Sequence, residues 1–150
     1  MKNRRKNYQT QWAGQFGVAH ELSRRGYLVT FTTGNAPTAD LLCRSPRGAS
    51  FSVEVKSLSS KTYFLFREGL LRPNDNQYVI FVLVPAHLEE KPEYHVLTNA
   101  QFRLLVEKQA RITKEMEKDR GKPYAAFTKG ISYPLLAEQN FRGAWDNLPP

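Results

Sequence analysis

The chain has 150 residues, 41% hydrophobic and 12% aromatic, with 22 Lys and Arg against 14 Asp and Glu for a formal charge of +8. That length suits a single domain with one core, and the aromatic content excludes a disordered chain. Cys43 is the only cysteine, which excludes a disulfide scaffold and points to a reducing, cytoplasmic compartment. The longest apolar stretch, Tyr78–Ala86, is too short to span a membrane, and no apolar stretch follows the basic start Met1–Lys6 as a secretory signal requires.

The elements are read in chain order. Trp12, Phe16, Ala19 and Leu22 recur at helical spacing, so a helix is predicted over Trp12–Arg25, ended by Gly26. Tyr27–Thr33 is rich in β-branched and aromatic residues and reads as a strand, followed by the turn Gly34-Asn35-Ala36-Pro37. Ala39–Arg44 and Phe51–Ser57 form a hairpin about the loop Ser45-Pro46-Arg47-Gly48. In the second of these strands Phe51, Val53 and Val55 alternate with Ser52, Glu54 and Lys56, so apolar and polar side chains take opposite faces. Leu58–Gln77 reads as irregular with one short helix. Its aromatic residues Tyr63, Phe64 and Phe66 fit core packing better than base stacking.

Gln77–Val84 is a near-continuous apolar run, a buried central strand, and Tyr94–Thr98 is another strand. Thr98 or Asn99 caps a long helix to about Asp119, with Phe102, Leu105, Ile112 and Met116 on its inner face. The last thirty residues read as irregular, with Phe141 and Trp145 packing the tail onto the core. The order implies one α/β domain over residues 1–150, with a central mixed sheet flanked by helices.

Charge is uneven. Residues 1–30 hold six basic side chains (Lys2, Arg4, Arg5, Lys6, Arg24, Arg25) and a single acid, Glu21. A basic N-terminal segment of Lys2, Arg4, Arg5 and Lys6 suits a nucleic-acid backbone, while a solvated basic tail is the plainer alternative.

The chemistry lies in Pro37-Thr38-Ala39-Asp40, followed after thirteen residues by Glu54-Val55-Lys56. Glu54 and Lys56 are two apart on a strand and share a face, and the hairpin would bring Asp40 beside Glu54. Two carboxylates and an ammonium on one patch suit Mg²⁺ and the hydrolysis of a phosphodiester. His20, His87 and His95 have no metal-ligand spacing. An isolated Glu-Val-Lys is ordinarily a solvated strand face or a cross-strand ion pair. The Pro-x-x-Asp turn, the hairpin and the preceding helix lift it above that reading.

On these residues the chain resembles the PD-(D/E)XK nuclease superfamily, which includes restriction endonucleases and archaeal Holliday junction resolvases. Gly14–Leu22 and Arg25-Gly26-Tyr27 are similar to the first helix of such enzymes, and about the first 100 residues fit. The resemblance implies a restriction-endonuclease-like core and DNA cleavage with Mg²⁺, for which Mn²⁺ can substitute. It makes Asp40 and Glu54 metal ligands, the Val55 carbonyl a further ligand and Lys56 the catalytic lysine. Many members carry a glutamate on the first helix where Gln15 stands here. Gln15 offers an oxygen without charge, and Glu21, the only acid on this helix, lies six residues later on another face. Ser57 and Lys61 could reach the substrate backbone. A twofold pair of such sites would address both strands of duplex or branched DNA, so a homodimer fits this reading. The rival readings are a catalytically inactive nucleic-acid-binding module, or a subunit of a larger nuclease, restriction or mobile-element assembly.

Overall fold

The structure, a computed structural model, describes residues 2–33, 37–124 and 129–150, with side chains from residue 6 onward. Its first helix, α1 (Lys2–Arg24), leads to β1 (Leu28–Phe31), β2 (Leu41–Arg44) and β3 (Ser50–Leu58). Then come β4 (Tyr63–Leu65), a 3₁₀ turn over Glu68–Leu71, β5 (Gln77–Leu83), β6 (Glu93–Thr98) and α2 (Asn99–Arg120). β7 (Gly130–Ser132) and α3 (Tyr133–Ala137) follow.

Five strands make a mixed sheet in the order β1-β2-β3-β5-β6. The β1–β2, β2–β3 and β5–β6 pairs are antiparallel, and β3 runs parallel to β5. All seven residues of β5 are buried, as a strand covered on both faces requires. On one face Val18 and Leu22 of α1 pack against Val53, Val55, Ile80 and Val82. On the other, Phe102 and Leu105 of α2 pack with Val79, Phe81 and Leu97. Each such buried side chain contributes about 1.5–3 kcal/mol through apolar area removed from water. The architecture is α/β, with a mixed central sheet flanked by helices.

Local signals account for the helix ends. At the end of α1, Gly26 N–H donates to the Ser23 carbonyl and Tyr27 N–H to the Leu22 carbonyl, a Schellman arrangement in which Gly26 takes φ 85°. At the start of α2, the Thr98 hydroxyl accepts from Gln101 N–H while the Gln101 side chain accepts from Thr98 N–H.

Four expectations need correction. α1 begins at Lys2 rather than Trp12, so the basic segment belongs to a helix and is not a tail. The apolar series on α1 divides: Ala19 and Leu22 enter the core, but Phe16 is 56% exposed and Trp12 only half-buried. The ten residue steps from Trp12 to Leu22 end about 80° short of three full turns at 3.6 residues per turn, so the two cannot share one narrow stripe. Met116 is half exposed because α2 runs on past the layer of apolar residues it covers. Finally, β4 and β7 pair with each other as a small second sheet, in segments that read as irregular. Each has three residues, too few for a period to show. Phe64 and Phe66 are core residues, and Phe141 and Trp145 pack against the two core layers.

Candidate functional site

The hairpin is uneven in length. β2 starts at Leu41, opposite Val53, whereas β3 continues to Leu58. Among the described residues no strand pairs with β3 beyond Val53 on the β2 side, which leaves a notch. Asp40 fills it: its N–H donates to the Val53 carbonyl at 2.9 Å, and its Oδ2 accepts from Val55 N–H at 2.7 Å. The side chain thus satisfies a strand N–H that the ladder leaves behind. N–H and C=O of one strand residue point to the same edge, so the Val55 carbonyl also opens on the notch.

The segment before Asp40 is held from two sides. The Thr32 hydroxyl donates to the Ala39 carbonyl at 2.7 Å, and Thr32 N–H donates to the Asp40 carbonyl at 3.0 Å. From the other side the buried Gln77 amide donates to the Thr38 carbonyl at 2.7 Å, and Asn99 donates to Gln77 Oε1 at 3.2 Å. A buried amide network spanning β5 and α2 therefore sets where Asp40 stands.

Glu54 and Lys56 lie in register with Val79 and Phe81 and leave β3 on the α2 side. Lys56 Nζ is 2.5 Å from Glu54 Oε1, with the side chains only 16% and 9% exposed. Burial raises the pKa of Glu54; Lys56 opposes this, the negative charge of Asp40 adds to it, and Arg67 opposes it again. Burial also raises Asp40, against the pull of the Val55 amide, Lys56 and Arg67. The two carboxylates and Lys56 thus share one electrostatic environment, and desolvation outweighs the stabilisation of the acids' charges.

Gln15 arrives from the opposite face. Its Nε2 donates to Asp40 Oδ1 at 3.1 Å, so the residue offers the carboxylate a proton rather than an oxygen. A cavity of about 280 Å³ is lined by Tyr8, Gln11, Trp12, Gln15, Asp40, Val55 and Lys56. A second, of about 320 Å³, shares Gln11 and Lys56 with it and continues past Thr10, Ser59, Ser60 and Thr62.

Other residues singled out from the sequence fall elsewhere. Glu21 pairs with Arg24 and Arg25 at the end of α1, and the Arg25 guanidinium lowers its pKa. The Ser57 hydroxyl is buried against α1 without a hydrogen-bond partner, on the face of β3 opposite Lys56. Lys61 is exposed, its Nζ 5.5 Å from the centre of the Tyr133 ring. Lys6 is exposed on α1, while the side chains of Lys2, Arg4 and Arg5 lie outside the described residues. Arg67 was not among the residues singled out. It lies two residues after β4 in the chain and acts electrostatically on both carboxylates, and no spacing rule links it to Asp40 or Glu54.

Among the described residues no three His, Cys, Asp or Glu side chains cluster as a metal centre, and no helix is long and apolar enough to cross a membrane. No family model, curated protein or solved structure matches the chain.

Proposed function

We propose that this chain is a metal-dependent endonuclease that hydrolyses DNA phosphodiester bonds, with a core of the restriction-endonuclease-like kind. The observation that carries the reading is that Asp40 and Lys56 line one cavity at the edge of β3, with Glu54 paired to Lys56 and within electrostatic reach of Asp40.

The donor set fits a hard divalent cation. Asp40 and Glu54 supply carboxylate oxygens and Val55 a main-chain carbonyl, the ligand types Mg²⁺ and Mn²⁺ prefer. Two desolvated carboxylates are disfavoured as anions, and a bound cation would relieve that. When bound, Mg²⁺ supplies a Lewis acid for a phosphoryl oxygen and acidifies a water. Lys56, lining both cavities, orients the attacking water or offsets charge growing on the phosphoryl oxygens. Arg67 adds a second positive charge within electrostatic reach of both acids.

The test is a panel of labelled duplex, branched and single-stranded DNA incubated with Mn²⁺. Wild type should cut at least one substrate, and Asp40→Asn and Lys56→Ala should cut none while melting cooperatively. Equal cutting by all three proteins overturns the assignment.

One observation favours a second reading, a nucleic-acid-binding module without hydrolysis: Gln15 directs an N–H at Asp40 where a charged oxygen would strengthen a metal site. Titration calorimetry separates the two, because the binding module holds DNA with a steep salt dependence but shows no Mn²⁺ site.

A further inference from the structure

The exposed face of α1 beside the candidate site carries aromatic rings that the core does not use. Tyr8, Trp12 and Phe16 follow one another at four-residue steps, and Phe31 of β1, half-buried and packed in part against the core, adjoins them. Trp12 and Phe16 stack with ring centres 5.2 Å apart and 27° between their planes. Tyr8 meets Trp12 edge-on at 6.1 Å, and Phe16 meets Phe31 at 5.3 Å. Tyr8 is 64% exposed and Phe16 56%, so ring surface that burial would stabilise is left in water.

From this arrangement we infer that Tyr8, Trp12, Phe16 and Phe31 form a stacking platform for unpaired bases, so that the site takes single-stranded or locally unpaired DNA. The inference rests on the proposed action of the Asp40 pocket on nucleic acid. Three observations specify the occupant. Tyr8 and Trp12 line the same cavity as Asp40, Gln15 and Lys56, which puts the rings next to the phosphate that would react. The adjoining cavity carries neutral hydrogen-bonding side chains, Thr10, Gln11, Ser59, Ser60 and Thr62, beside Lys56, which suits a sugar-phosphate chain. The sequence of α1 is basic at its start and has no acid before Glu21, so α1 itself offers a polyanion no negative charge along that stretch. A continuous duplex offers base edges in its grooves and keeps base faces stacked on one another, whereas an unpaired strand can lay its base faces on protein rings.

The experiment measures binding by the full chain without metal, so that no cutting intervenes. Labelled twenty-residue oligothymidylate and a blunt duplex of equal length are compared at one salt concentration. Wild type should bind the single strand at least about tenfold more tightly, and Phe16→Leu should weaken that binding about tenfold while leaving duplex binding unchanged. Phe16→Tyr keeps a ring face and should restore it. Phe16 is exposed, so these variants should fold, and melting curves check it. Equal affinity for both DNAs, or no effect of Phe16→Leu, overturns the inference. So does a wild-type dimer in sedimentation that Phe16→Leu dissociates, since the rings would then face a second copy of the chain. The two readings fail separately. Selective single-strand binding with no Mn²⁺-dependent cutting would sink the nuclease and leave the platform standing. Cutting of duplex with an indifferent Phe16→Leu would do the reverse.

Discussion

Asp40 Oδ2 accepts a 2.7 Å hydrogen bond from the main-chain N–H of Val55. This bond turns a side chain at the end of one strand into a substitute for a missing rung of the ladder. It also places a carboxylate within the electrostatic reach of Glu54, and the pKa of each acid is raised chiefly by burial. Charge held against that tendency makes the metal-free site a destabilising feature of the fold.

The sign follows from linkage. A carboxylate whose pKa is raised on folding binds its proton more tightly in the native state, so its contribution to stability is lost as pH rises from its unfolded value through its native one. For Asp40 and Glu54 that loss begins near their ordinary values of 3.8 and 4.5 and continues up to their raised native values. Asp40→Asn keeps an oxygen for Val55 N–H and removes the charge. We expect its melting temperature in chelator at pH 7 to equal or exceed wild type by ~2–4 °C, the shift about 1 kcal/mol gives in a chain of this size. Adding Mn²⁺ should raise the wild-type melting temperature and leave the variant unmoved. A large drop for Asp40→Asn in scanning calorimetry would contradict this account.

Gln15→Glu sets a third carboxylate against Asp40 in place of an amide donor. Without metal, like charges should lower the melting temperature. With Mn²⁺ the added ligand charge should tighten binding by about tenfold. Calorimetric titration of both proteins checks the second effect, and unchanged affinity would remove Gln15 from the neighbourhood of the ion.

Gly14 marks a close approach of α1 to β3. A Cβ there would lie 1.8 Å from Ser57 Oγ and 2.9 Å from Ser57 Cβ. Gly14→Ala should therefore cost about 1–3 kcal/mol through overpacking, read as a lower urea midpoint, with Ser57→Gly restoring part of it in the double variant. Ser57→Ala alone deletes a buried hydroxyl that has no hydrogen-bond partner and should be neutral or stabilising. If Ser57→Ala instead abolished cutting while the protein stayed folded, Ser57 would belong to the site rather than to helix packing.

His95 gives the fold a pH dependence of the opposite sense. Its ring is buried, neither nitrogen has a hydrogen-bond partner within 3.5 Å among the described residues, and Nε2 lies 3.6 Å from Glu93 Oε2. Burial lowers its pKa below 6.5; Glu93, which also accepts from Tyr133, opposes this, and Arg142 reinforces it. As pH falls through 6.5 the unfolded chain takes up a proton that the native state refuses, so stability is lost down to the native value. Urea midpoints at about pH 7.5 and 5.5 should show a smaller decline for His95→Phe than for wild type, because the variant has no imidazole to protonate. An identical decline would mean that His95 does not contribute.

What could be read from the amino acids alone was what a few neighbouring residues decide. The alternation of Phe51–Ser57 puts Glu54 and Lys56 on one face, the apolar run Gln77–Val84 is an inner strand, and Thr98 or Asn99 caps the long helix, the structure using Thr98. Each rests on a period or a cap complete within one or two turns of chain. The tertiary structure decided the rest: that Gln15 reaches Asp40 across twenty-five residues of chain, that Arg67 stands near both acids, and that Trp12 and Phe16 leave the core for the surface. It also paired β4 with β7, which lie on either side of β5, β6 and α2 along the chain. Such contacts join segments far apart in the sequence, and which ones meet depends on how two helices and a mixed sheet share their faces. No local pattern of residues carries that information.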